Sequence, residues 1–146
     1  MAVEAAPKAQ VFSMKTPLLS SGRTNQPIAE TDLLKLRMKV YAEGGENGLH
    51  THKDEDHAFV IMQGQATFHD EEDNIRVVNK FEGIMIPHGA FYWFQSTGDE
   101  NLVLLRVGAG REKEGEFRVG PNGVPLTREE NKHIDGTVIP GKFFGA

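Results

Sequence analysis

The amino-acid sequence predicts an all-β protein with a single domain. Two observations lead to this prediction: short apolar runs recur every eight to twelve residues between 33 and 107, and turn-forming residues separate them. No long helical period interrupts this region. Regularly spaced short strands with turns between them are typical of a β-sandwich or a β-barrel.

The first strand is predicted over residues 33–42, where apolar and polar residues alternate. This period of two is that of a strand with one face in the core. Acidic or glycine-containing segments that follow are typical of turns and loops. Further strands are predicted over residues 48–52, 57–63, 65–69, 75–79, 83–86, 90–96 and 102–107.

The two ends of the chain lack this alternation. We expect an irregular N-terminal extension over residues 1–32 and an irregular C-terminal tail over residues 108–146, which is rich in glycine and proline and packs on the β-domain or on a partner. Within the tail, Thr127 followed three residues later by Glu130 predicts the cap of a short helix. The folded β-domain is therefore predicted to span residues 33–107.

Composition excludes several classes of function. The 146 residues carry a net charge of −5 and no basic cluster, which disfavours nucleic acid or an anionic membrane as the partner. The lack of cysteine excludes disulfides, thiolate metal ligands and cysteine nucleophiles. The first ten residues lack the apolar core of a signal peptide, and no apolar run reaches membrane-spanning length. We therefore expect a cytoplasmic protein with a small-molecule partner.

Three of the six histidines lie close together in the sequence, at His50, His52 and His57. The spacing of His50 and His52 puts both imidazoles on the same face of a strand. His57 follows an acidic turn and begins the next apolar run, so a hairpin would bring it back toward the first two. Three neutral imidazoles that converge from paired strands form a site for a divalent metal ion.

This histidine-containing segment resembles the first motif of the cupins. Gly44, His50, His52, His57 and Gly64 have the spacing of that motif, but the family usually has glutamate where this chain has His57. The resemblance implies a jelly-roll β-barrel of the cupin type.

A second cupin motif is also similar to this sequence. Gly83, Pro87 and Gly89 match it, with the first gap two residues short, while Tyr92 stands where the family has its last histidine and Ser96 where it has asparagine. By this resemblance Tyr92 is the candidate catalytic residue. Three roles are open for the Tyr92 side chain: it coordinates the metal as a phenolate, it donates a hydrogen bond or a proton to the substrate, or it only packs in the wall of the barrel.

Two further residues are alternative metal ligands. Asp56 competes with His57, because the family tolerates a spacer that is one residue shorter. His88 competes with Tyr92, because it shares the same strand parity. A site made of neutral histidines leaves a divalent ion with its full double charge, so it favours an anionic or enolisable organic ligand.

The resemblance implies a metal-dependent enzyme, and we interpret it first as a non-haem iron dioxygenase with a three-histidine site. The alternatives are a lyase, isomerase or cyclase that uses zinc, manganese or nickel without redox chemistry, and a non-catalytic small-molecule-binding protein. A cupin that has lost its metal is a further alternative. Imidazole accepts all of these metals, so the ligand set does not separate them.

Strand alternation predicts a mostly apolar substrate pocket. Phe59 and Ile61 share the parity of His57, and Phe94 shares that of Tyr92, while Met38 and Val40 contribute from the first strand. The family resemblance also implies a homodimer, with residues 1–32 available as an exchanged segment.

Overall fold

The computed structural model describes residues 6–42, 47–111 and 118–146, so Gly44 of the first motif lies outside the described residues. No helix in this described part is long and apolar enough to cross a membrane. The described residues form strands β1 (Thr16–Ser21), β2 (Arg23–Glu30), β3 (Leu34–Tyr41), β4 (Glu55–Gln63), β5 (Gln65–His69), β6 (Ile75–Asn79), β7 (Gly83–Ile86), β8 (Trp93–Ser96), β9 (Leu102–Gly110) and β10 (Thr137–Phe144), and helix α1 (Arg128–Asn131).

Two antiparallel sheets face each other and enclose an apolar cluster. One sheet has the order β2-β3-β9-β4-β7 and the other the order β6-β5-β8. Phe59 and Leu104 of the first sheet pack between the sheets with Phe68 and Phe94 of the second. This architecture confirms the predicted all-β jelly-roll class, although the two sheets do not close into a continuous ring of strands.

A small third sheet covers part of the outer face of the five-stranded sheet. Strands β1 and β10 pair with each other, and Leu19 of β1 packs against Met38, Val40 and Val103. The strands β1, β2 and β10 lie in segments where the sequence shows no clear alternation. Pro27 in β2 and Pro140 in β10 interrupt the period of two, which explains why the sequence does not reveal these strands.

The local predictions inside the domain agree closely with the strands. Strands β5, β6 and β7 have the predicted bounds, and β4 begins two residues before its predicted start at residue 57. The predicted helix cap is also present, because Glu130 N–H donates to Thr127 Oγ1 and Thr127 N–H donates to Glu130 Oε1. The predicted strand at 48–52 is reduced to isolated bridges at His50 and Thr51.

Candidate functional site

The structure brings His50, His52 and His57 together inside the jelly roll. His50 is held by a two-way backbone bridge to Tyr92, in which each N–H donates to the other carbonyl at 3.1 and 2.9 Å. His57 lies on β4 and faces the same interior. The ring centroid of His52 lies 5.1 Å from that of His50 and 4.1 Å from that of His57. All three side chains are at most 5% exposed.

Two ring nitrogens in this cluster are buried without a hydrogen-bond partner. His50 Nδ1 donates to the carbonyl of Gly48 at 2.6 Å, which leaves a lone pair on Nε2. His57 Nε2 lies 3.0 Å from Glu55 Oε1, which leaves a lone pair on Nδ1. In the part of the chain that the structure describes, neither His50 Nε2 nor His57 Nδ1 has a hydrogen-bond partner. Buried acceptors without a donor are costly, so a Lewis acid is the kind of group that would satisfy them.

The environment keeps these histidines neutral. Burial lowers the pKa of all three well below the usual value for histidine, and nearby guanidinium groups lower it further: Arg118 beside His50, and Arg106 beside His52 and His57. For His52 the pKa falls to about 3. Neutral imidazole is the form that binds a metal ion, so the cluster is in its ligating form at pH 7.

The donor set fits a divalent ion in its chemistry. In the described ranges no three histidine, aspartate or glutamate side chains already surround a common point as metal ligands do. The fit is instead one of donor type, because the three imidazoles are neutral, buried and adjacent and two of them carry unpartnered lone pairs. The bonds to Gly48 and Glu55 orient two of the rings, as partners of metal-binding histidines commonly do.

The structure places Tyr92 beside the histidines. Its side chain is 4% exposed, and its ring centroid lies 4.4 Å from that of His50. The phenol oxygen lies 3.4 Å from His52 Nε2. Tyr92 therefore reaches the cluster, as its position in the second motif implies, and its hydroxyl lies where a ligand bound at His52 would meet it.

Asp56 and His88, the alternative ligands, lie outside the cluster and pair with each other. The His88 backbone N–H and Nδ1 lie 2.8 and 2.7 Å from Asp56 Oδ1, and both side chains are at least half exposed. These hydrogen bonds from His88 lower the pKa of the Asp56 carboxyl. Because Asp56 and His57 are adjacent on β4, they point to opposite faces of the sheet.

The predicted pocket residues separate into two groups. Phe59, Ile61 and Phe94 are fully buried and belong to the apolar cluster between the sheets, where they form the floor beneath the histidines. Met38 and Val40 differ from the prediction, because their side chains point to the outer face and pack under Leu19 of β1. The polar side chains of β3 therefore lie on its inner face.

A cavity of about 380 Å³ opens beside the histidines and has a polar wall. His52 is part of this wall, together with four cationic residues and one acid. The sequence analysis missed the cationic residues; for Lys35 and Arg37 the reason is that it turned the apolar face of β3, with Met38 and Val40, toward the pocket. The lining residues are Asn25, Lys35, Arg37, His52, Glu55, Arg106, Arg118, Pro125, Leu126 and Asn131.

Glu55 is the acid of this cavity and links it to the histidines. Its Oε1 lies 3.0 Å from His57 Nε2, and its Oε2 accepts from Lys35 Nζ at 2.9 Å. Gly108 makes room for this carboxylate, since a Cβ at that position would lie 2.5 Å from Glu55 Oε1. Glu55 and His57 have the same parity on β4, which places both side chains on the same face of the sheet.

The comparisons with known proteins agree with this geometry. The family profile of the cupin domain matches residues 37–108. No curated protein sequence matches the chain. Among solved structures, a conserved Klebsiella pneumoniae protein with a double-stranded β-helix domain aligns with a TM-score of 0.64 at 15% identity, covering 76% of this chain and 93% of that chain.

Two further structures show the same fold. KdgF from a Halomonas species aligns with a TM-score of 0.57 at 16% identity, over 62% of this chain and 82% of its own. An oxalate oxidase in complex with the substrate analogue glycolate aligns with a TM-score of 0.54 at 17% identity, over 64% of this chain and 53% of its own. From the motif spacing, the jelly-roll topology and these matches, the chain belongs to the cupin superfamily.

Proposed function

We propose that this cupin is a metal-dependent enzyme that acts on a small organic anion. One observation supports this proposal most directly: a cluster of three buried, neutral histidines adjoins a cavity whose charged wall consists of four cations and one acid. Neutral imidazoles suit a divalent ion, and a cationic wall suits an anionic substrate.

In this proposal, different residues would bind the metal ion, orient its ligands, contact the substrate and exclude water. His50, His52 and His57 would hold the ion, which supplies Lewis-acid chemistry or, if it is iron, reaction with dioxygen. Glu55 orients His57 through the 3.0 Å contact, and Tyr92 stands where its hydroxyl could donate a hydrogen bond or a proton to a ligand beside His52. The apolar floor formed by Phe59 and Phe94 excludes water from this side of the cluster.

Within this proposal, a non-haem iron dioxygenase is the first chemistry to test. A ligand set without negative charge leaves a ferrous ion with its double charge, which favours a chelating carboxylate or enolate. The redox-silent alternative is a lyase, isomerase or cyclase that uses zinc, manganese or nickel, since imidazole serves these ions equally well. A non-catalytic anion-binding protein is the third alternative.

The first test is the metal content of the purified protein by plasma mass spectrometry. We expect about one equivalent of iron in the wild type, lost in the His50→Ala/His52→Ala variant and retained in His88→Ala, whose imidazole is exposed and outside the cluster. Zinc, manganese or nickel with the same loss would favour the redox-silent enzyme. No metal after reconstitution with any of these ions would overturn the proposal.

Oxygen consumption then separates the enzyme from a binding protein. Iron-loaded protein would be supplied with a panel of β-diketones and aromatic acids in an oxygen electrode. Substrate-dependent uptake supports a dioxygenase, whereas tight binding of a panel member without turnover supports the non-catalytic alternative. A Tyr92→Phe variant that retains its metal is expected to lose turnover by roughly 10²-fold if the hydroxyl acts as a proton donor.

A further inference from the structure

The cationic wall of the cavity holds more positive charge than its own acid can balance. Lys35, Arg37, Arg106 and Arg118 line it together with Glu55. The two oxygens of Glu55 are already engaged, one by Lys35 at 2.9 Å and the other by His57 at 3.0 Å. Among the residues that the structure describes, the three arginines therefore have no full counter-ion in the cavity wall.

Arg106 is the most buried of these arginines. It is 8% exposed, and within the described ranges its Nε has no hydrogen-bond partner and its closest carboxylate oxygen, Glu55 Oε1, lies 3.8 Å away. A guanidinium presents five donors in a fixed fork, and a buried cation without a paired anion is costly. Burial accordingly lowers the pKa of Arg106. The fold therefore holds the Arg106 guanidinium in a position where a bound anion would supply the missing acceptor and counter-charge.

The register of the sheet places a second arginine directly across from the first. Arg37 on β3 and Arg106 on β9 are cross-strand partners and share the inner face. Like charges directly opposite each other destabilise a sheet. In the described ranges Arg37 has no carboxylate partner, and Arg118 donates to the neutral side chain of Asn131. An anion between the arginines would remove this repulsion.

We propose that the natural ligand is a dianion whose second anionic group, a carboxylate or a phosphate, is bound by Arg37, Arg106 and Arg118. Its first group lies toward His52, which lines the same cavity. A guanidinium group binds a carboxylate or a phosphate through two parallel hydrogen bonds. The cavity volume of about 380 Å³ is near the lower end for ligand pockets, so the ligand is a small dicarboxylate or phosphorylated carboxylate.

This inference rests on the proposed function only for the placement of the first group at the histidines. The arginine site belongs to the chain itself and is measurable in metal-free protein. The two proposals can therefore fail separately. If the protein binds a dianion but no metal ion, the metalloenzyme proposal is overturned and the arginine site stands. If it binds a metal ion but does not prefer a dianion to an uncharged analogue, the arginine site is overturned and the metalloenzyme proposal stands.

The test is calorimetric titration of full-length, chelator-treated protein with three probes. We expect succinate or phosphoglycolate to bind at least about tenfold more tightly than succinamide, the uncharged isostere of succinate, because charge-assisted bidentate pairs contribute strongly. The tighter of the two dianions identifies the second group as carboxylate or phosphate. Equal affinity for succinamide and both dianions would overturn the inference.

Variants test whether the arginines are responsible. Arg37→Gln is expected to weaken binding of the preferred dianion about tenfold or more, and Arg37→Lys to restore part of the loss, since lysine keeps the charge without the planar fork. The control Arg76→Gln lies on an exposed position of β6 and should bind like the wild type. If Arg37→Gln does not fold, Arg118→Gln provides the same measurement. Unchanged affinity in a folded variant contradicts the proposal.

Discussion

Lys39 illustrates at the scale of a residue how unusual the interior of this protein is. The side chain is 3% exposed, and its Nζ lies 5.5 and 5.8 Å from the ring centroids of Tyr41 and Phe94. Burial, followed by the nearby guanidinium groups, lowers its pKa well below the usual value for lysine. Aromatic faces partly replace the lost hydration of the ammonium group. The same positive charges add to the effect of burial in keeping the histidines neutral.

The histidine cluster should make the protein sensitive to mild acid. Unfolded histidine has a pKa near 6.5, whereas His52 in the fold has a pKa of about 3, so between these values the unfolded chain binds the extra proton. Stability is therefore highest above pH 6.5 and falls as the pH drops toward 3. For His52 alone, linkage gives a loss of about 2 kcal/mol between pH 7 and pH 5.

Urea unfolding of metal-free protein at pH 7 and pH 5 measures this effect. Between pH 7 and pH 5, the free energy of unfolding should fall by about 2 kcal/mol less in His52→Asn than in the wild type. His88→Ala serves as the control, because this imidazole is exposed. A wild-type free energy of unfolding that does not change between the two pH values would contradict the prediction.

Element packing explains why β3 shows its polar face to the interior. The sheet of β1 and β10 covers the outer face of β3, where Met38 and Val40 meet Leu19. Strand alternation then turns Arg37 and Lys39 inward. Arg37 lines the cavity there, and Lys39 lies over the rings of Tyr41 and Phe94. The placement of charge around the site is therefore decided by a layer whose strands the sequence pattern does not reveal.

Asn101 joins this outer layer to the rest of the protein. Its Oδ1 accepts from Leu19 N–H at 2.6 Å and its Nδ2 donates to the Leu19 carbonyl at 3.0 Å, so one side chain replaces a rung of sheet pairing. Asn101→Ala would leave two backbone groups of a residue that is 1% exposed without partners. We expect a loss of about 2 kcal/mol in the free energy of unfolding.

Urea denaturation of the two variants Asn101→Ala and Asn122→Ala checks this expectation. Asn122 is an exposed loop residue that bonds only locally to Val124 N–H, so its loss should cost less than about 0.5 kcal/mol. Equal stability of the two variants would show that Asn101 does not hold β1 in place.

At the scale of the whole molecule, the outer face of the five-stranded sheet is covered only in part. Beyond the two-stranded sheet, Leu36, Val107, Ala58 and Met85 stand in one cross-strand row, which we call the outer apolar strip. Met85 is 68% exposed, and the neighbouring Val60 is 37% exposed. We expect a second copy to bind along this strip, because its exposed apolar side chains are those that a partner would cover.

Sedimentation velocity tests the homodimer. We expect the wild type to sediment as a dimer and Met85→Glu to sediment as a monomer, because a charge in the strip opposes burial against a second copy. Val124→Glu changes another exposed apolar residue, which is not part of the strip, and should remain dimeric. A monomeric wild type at micromolar concentration would refute the expectation.

The sequence by itself determined most of the domain's strands and the identity of the histidine cluster. These features depend on local order: a period of two defines strands such as β5 and β6, and the His50-x-His52 spacing fixes two imidazoles on one face. The cap at Thr127 was predictable for the same reason, because its partners lie within one helical turn.

Only the tertiary structure decided the charge of the cavity. Alternation along β3 gives two faces but does not say which one is inside, since either can be buried until the other layers are placed. Arg106 and Arg118 reach the same cavity from β9 and from the C-terminal segment, far from Arg37 in the sequence. Contacts between such distant segments depend on the packing of the sheets, and no local pattern encodes them.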